Sequence, residues 1–79
     1  MAVRAYVLFE TEMGKTKQVT EAIRRLKGVV SVDLVTGPYD AIAIVEGETL
    51  TELGEFVAAK VHPISGISRT VTCLALKLF

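Results

Sequence analysis

The sequence predicts a small α+β fold: a four-stranded antiparallel sheet with two helices on one of its faces. Three observations carry that expectation: an internal repeat, two amphipathic helical stretches, and strands that are apolar on both sides. Displaced by 38 positions, Ala5 falls on Ala43, Val7 on Val45, Glu10 on Glu48 and Thr11 on Thr49. Further on, Val19 meets Val57, Ile23 meets Val61, Leu26 meets Ile64 and Gly28 meets Gly66. A fixed displacement of this kind marks a duplicated structural unit. Because 51% of the residues are apolar, the paired glycines and threonines carry more weight than the paired valines. Each copy reads as strand-helix-strand, and the two join at Gly37-Pro38-Tyr39-Asp40.

The first strand is expected over Ala5 to Thr11, where Tyr6, Val7, Leu8 and Phe9 run unbroken and Gly14-Lys15 ends the stretch. Lys17 to Lys27 reads as a helix, with Val19, Ala22, Ile23 and Leu26 spaced i, i+3, i+4 and i+7. Arg24, Arg25 and Lys27 close it, where cations suit the helix dipole, so they read as a solvated helix end rather than a phosphate site. Gly28 then supplies the stop. Val29 to Val35 is the second strand, Gly37-Pro38 punctuates, and Ala41 to Glu46 is the third. Thr49-Leu50-Thr51-Glu52 is a capping-box pattern opening a second helix, with Leu50, Leu53, Phe56, Val57 and Val61 as its buried stripe. Pro63 limits that helix, and Gly66 turns the chain into a last strand from Ile67 to Leu78. The order β-α-β-β-α-β, with right-handed crossovers, gives the ferredoxin-like arrangement.

Two helices cover only one face of such a sheet, and the other face should then alternate toward polar residues. It does not. Ile42 and Ile44 oppose Ala41, Ala43 and Val45; Tyr6 and Leu8 oppose Ala5, Val7 and Phe9. In the last strand Val71, Cys73 and Ala75 oppose Leu74, Leu76 and Leu78. An apolar face of that extent is expected to be buried against a second copy, sheet to sheet, with larger rings of dimers compatible with the same pattern. The last strand ends the sheet and can also pair across the contact.

Composition narrows the function. With 79 residues the chain is expected to be a single domain over 1–79. Nine basic and nine acidic residues cancel, which argues against direct nucleic-acid binding. No apolar run is long enough to span a membrane, no signal peptide is evident, and the single Cys73 fits a reducing cytoplasm, so a cytoplasmic location is expected.

Little in the chain reads as catalytic. His62, the single histidine, lies at a helix end and reads as a cap. Cys73 sits in an apolar strand and reads as a buried, inert thiol. There is no Cys-x-x-Cys, no phosphate loop, no aromatic pair of an RNA-binding sheet, and no evident pairing of Asp33 with Asp40. No enzyme activity, metal or cofactor is expected. Two features remain. In the central loop Gly37 permits close backbone approach, Tyr39 offers an aromatic lid and Asp40 a carboxylate for an ammonium group; the other reading is a hairpin turn whose Asp caps its own backbone. In the last strand Thr70 and Thr72 put two hydroxyls on one face, although threonine is also common in strands.

Taken together, Thr11-Glu12-Met13-Gly14-Lys15, Thr36-Gly37-Pro38-Tyr39-Asp40 and Gly66-Ile67-Ser68-Arg69-Thr70-Val71-Thr72 resemble the effector-binding domain of the Lrp/AsnC transcriptional regulators, the RAM domain. The resemblance covers nearly the whole chain. It implies a sheet-to-sheet dimer, often in rings of dimers, that binds a free amino acid between subunits and regulates amino-acid metabolism. It further implies ligand contacts at Gly37, Tyr39, Asp40, Thr70 and Thr72, while Pro38 removes one backbone donor from the loop. Full members add a DNA-reading helix-turn-helix; Met1 here lies just ahead of the first strand, so a domain without one is expected, working with itself or with full-length relatives. Two rivals stand beside this reading. One is a small cofactor-free enzyme of the dimeric ferredoxin-like monooxygenase or isomerase type, with His62 and Tyr6 as its candidates. The other is a purely structural oligomeriser.

Overall fold

A computed structural model describes residues 3–76. Its elements are β1 (Val3–Thr11), α1 (Thr16–Arg24), β2 (Val29–Leu34), β3 (Ala41–Gly47), α2 (Leu50–Phe56) continued by one π-helical turn (Val57–Val61), and β4 (Ile67–Leu74). The strands form one sheet in the order β2-β3-β1-β4, and every neighbouring pair is antiparallel. The expected βαββαβ architecture is therefore the one observed. The last strand stops at Leu74, short of its expected end, and Leu78 lies outside the described residues.

The duplicated pattern is visible in three dimensions. Ala5 and Ala43, Val7 and Val45, Val19 and Val57, and Ile23 and Val61 are all buried in one core. Leu26 and Ile64 both pack at its margin. Gly28 and Gly66 take matching φ values of +104° and +102°. Their carbonyls each accept a backbone N–H from the opposite half, from Glu46 at 3.0 Å and from Glu12 at 2.8 Å. Gly66 also sits where α1 meets β4: an added Cβ would lie 2.9 Å from Val19 Cγ2.

The core lies between the helices and one sheet face. Ala5, Val7 and Phe9 of β1 and Ala41, Ala43 and Val45 of β3 fill it, together with Val19, Ile23, Leu53, Val57 and Val61. Among the described residues Thr20 is the buried polar one, and its hydroxyl donates to the Thr16 carbonyl at 2.7 Å, as a buried hydroxyl must to avoid a desolvation penalty. Thr49 is the N-cap of α2, its hydroxyl accepting the Glu52 N–H at 3.0 Å, as the capping pattern predicts. Leu50 departs from expectation: it is 56% exposed rather than part of the buried stripe. The π turn has a physical consequence. Its wide i→i+5 bond, His62 N–H to the Val57 carbonyl at 2.9 Å, absorbs one extra residue and keeps Val61 in the core.

On the other face the sheet presents two apolar rows. The register aligns Ile44, Tyr6 and Cys73 in one row and Ile42, Leu8 and Val71 in the next. Charged pairs bound these rows at both ends, Arg4 with Glu46 and Arg69 with Glu10. The Glu46 carboxylate raises the Arg4 guanidinium further above its already high pKa, chiefly through their hydrogen bond. Cys73, expected to be a buried thiol, is exposed in the single chain because it belongs to this uncovered face.

Candidate functional site

The residues singled out from the sequence fall into two groups. The first surrounds the loop between β2 and β3, closed by the Val35 N–H donating to the Asp40 carbonyl at 3.0 Å. Gly37 is exposed with φ +123° and has open space around it, so backbone conformation alone demands glycine there. The Tyr39 ring carries the Arg69 guanidinium 5.7 Å from its centroid, which ties the loop to β4. Asp40 binds the end of β1: its Oδ2 accepts from the Thr11 N–H at 2.8 Å and from the Thr11 hydroxyl at 3.2 Å, while its own N–H donates to the Phe9 carbonyl at 3.0 Å. The carboxylate thus caps a neighbouring strand rather than its own turn.

The second group lies on the helix side of β4. The register sets Thr70 beside Phe9 and Thr72 beside Val7, both of which point into the core. Yet β4 is an edge strand, and α2 packs on β3 and β1. The helix side of β4 is therefore left partly open, and Thr72 borders a cavity there. A cavity of about 270 Å³ remains, lined by Leu50, Leu53, Gly54, Val57, His62, Thr72 and Leu74. His62 Nε2 lies 3.2 Å from the Thr70 hydroxyl. Beyond His62 a shallow polar groove continues along Ser68, Arg69 and Thr70.

His62 has a role that spacing alone did not reveal. It ends the π turn, as a helix-end reading requires, but the extra residue in that turn brings its ring round to β4. The signal that could have found it is the pair of threonines on β4, since Thr70 meets the His62 ring and Thr72 shares a cavity with it. Tyr6 and His62, the two candidates of an enzyme reading, lie on opposite sides of the sheet. Among the described residues no group of three or more His, Cys, Asp or Glu could hold a metal ion, and no helix is long and apolar enough to cross a membrane. Another cavity, about 430 Å³ by Lys27, Glu46, Glu48 and Phe56, includes none of the residues expected to contact a ligand.

Comparison with known proteins adds a consistent set of matches. The family model described as the Lrp/AsnC ligand binding domain matches residues 4–79. An uncharacterized HTH-type transcriptional regulator of Pyrococcus horikoshii, PH1916, is 32% identical over 78 residues, covering 95% of this chain and 52% of that protein. The chain thus spans about half the length of the curated relatives it matches. Among solved structures, TTHA0845 from Thermus thermophilus is 34% identical with a TM-score of 0.91, covering 98% of this chain and 96% of that one. FFRP-DM1 is also 34% identical, with a TM-score of 0.89 over 94% of this chain and 99% of that one.

Proposed function

Since this chain belongs to the Lrp/AsnC ligand binding domain family, we propose that it is an effector-binding and oligomerisation module that senses a free amino acid and does no chemistry on it. The relatives named as transcriptional regulators support a regulatory, non-enzymatic role. The observation that carries the ligand reading is the open helix side of β4, where Thr72 and His62 line an apolar cavity and the His62 ring reaches the Thr70 hydroxyl. Its volume of about 270 Å³ is near the lower limit of ligand pockets, about 300 Å³, and suits an amino acid rather than a nucleotide.

In this reading the uncovered sheet face pairs with a second copy, and assembly brings further walls to the ligand. Gly37, Tyr39 and Asp40 then serve as a loop held in one shape, by Thr11 on one side and Arg69 on the other. Preorganisation of that kind lowers the ordering cost of binding. Because Asp40 already accepts two bonds through Oδ2, its contribution is to fix the loop, and the hydroxyls are the freer ligands for an ammonium or carboxylate group. A ligand that prefers one assembly shifts the population toward it by its difference in affinity. Calorimetric titration with the common amino acids, with solution mass measured in parallel, tests the reading. Heat and a change in mass with one of them is the expected result; no heat with any refutes it.

A further inference from the structure

The formal charge of the chain is zero, yet its charges are not mixed. Residues 15–27 hold five cations, Lys15, Lys17, Arg24, Arg25 and Lys27, against one carboxylate, Glu21, a local net of +4. Residues 46–55 hold four carboxylates, Glu46, Glu48, Glu52 and Glu55, and no cation, a local net of −4. The first block is α1 with its flanks; the second is the end of β3 and most of α2. Lys60 follows only in the π turn. Because α1 packs over β2, and α2 over β3 and β1, the two blocks lie side by side on the helix layer.

All five cations are exposed, and so are Glu48, Glu52 and Glu55. Glu46 is taken by Arg4. Among the described residues, none of the five cations, nor Glu52 or Glu55, forms an ion pair within the chain. Like charges on neighbouring turns repel, so the segregation disfavours the single chain. An opposite block laid against each would relieve it.

A second copy carries both blocks. Turned over about an axis parallel to the helices, it sets its α1 on the first copy's α2 and its α2 on the first copy's α1. Opposite charges then face in both contacts, and the pairing closes on itself. Turned about the other axis in the layer, it sets α1 on α1 and α2 on α2, and like charges face. The segregation therefore favours one pairing and rejects the other. A polyanion would also suit a basic helix, but the α2 carboxylates beside it on the same layer repel one.

We propose that the helix layer is a second self-association surface, in which the basic α1 of one copy lies on the acidic α2 of another. It sits on the opposite side of the sheet from the apolar rows and uses no residue of the candidate ligand site. It therefore stands or falls apart from the effector reading. Held by exposed charges, the contact is weak and salt-sensitive, because screening shortens their reach from about 30 Å at 0.01 M salt to about 10 Å at 0.1 M.

The test is sedimentation of the chain at about 0.01 M and about 0.5 M salt. The mass is expected to be about twofold higher at the lower salt, whether or not the sheet faces are paired. Two variants then locate the contact: Arg24→Glu with Arg25→Glu, and Glu52→Lys with Glu55→Lys. Each brings one block to a net of about zero and should lose the low-salt increment alone. Their equimolar mixture should recover part of it, since the α2 of one still faces the α1 of the other. Circular dichroism checks that both fold; where one does not, Arg25→Gln and Glu55→Gln should each lower the low-salt mass instead. A mass independent of salt overturns the proposal. So does an increment that survives either folded variant, or a mixture that recovers none of it.

Discussion

Gly54 and Gly66 are opposite cases of one residue type. Replacing Gly54 by alanine adds a Cβ into open space and removes a flexible helix position, so Gly54→Ala should stabilise the chain by about 0.5–1 kcal/mol in urea denaturation. Gly66→Ala forces a side chain into φ +102° and against Val19, and a loss of about 2 kcal/mol or more is expected in the same measurement. Asp40→Ala leaves the Thr11 N–H without its partner and should cost about 1–3 kcal/mol, because a half-buried donor loses its acceptor. A folded Asp40→Ala that is as stable as the parent would mean that the two bonds to Thr11 contribute little. The paired glycines were legible from the repeat, and their positive φ bears out the duplication. The exposure of Cys73 was not legible, since burial of an apolar-strand thiol depends on which face lacks a cover.

At the scale of the elements, alternation read the strands well. The split of Ala5, Val7 and Phe9 from Tyr6 and Leu8 is the split between core and open face. The start of α2 was equally plain, because Thr49 precedes Glu52 by three and caps its N–H. Thr49→Ala should therefore cost about 1 kcal/mol, read as a lower urea midpoint with an unchanged slope. The far end of α2 was not legible. Leu53, Val57 and Val61 are four apart, a spacing that a regular α-helix lets drift round its surface; the π turn absorbs that drift. Periodicity cannot show such a turn, and so the approach of His62 to Thr70 stayed hidden. Thr70 and Thr72 were found by their spacing, but their opening onto a cavity depends on how far α2 reaches across the sheet.

The whole molecule is a sheet shielded on one side. Ile42, Ile44, Leu8, Tyr6, Val71 and Cys73 form the apolar centre of the other side, and the Arg4–Glu46 and Arg69–Glu10 pairs form its rim. That layout is the anatomy of a protein interface. In the proposed dimer Leu8→Asp sets a charge in the middle of the contact without touching the core, so it should give monomers in sedimentation analysis where the parent chain gives dimers, while the circular dichroism spectrum is kept. Monomers in the parent chain at the same concentration would remove the interface reading.

Strand β4 alternates between these two regions one residue at a time. Thr70, Thr72 and Leu74 lie on the helix side, Thr72 and Leu74 lining the cavity, while Arg69, Val71 and Cys73 lie on the open face. A twist of this single ribbon is therefore felt on both of its sides. By linkage, if an amino acid on one side changes pairing on the other, pairing changes the amino acid's affinity by the same free energy. Dilution then becomes an experiment in its own right: the apparent dissociation constant for the amino acid should drift with protein concentration, in step with the fraction of paired subunits.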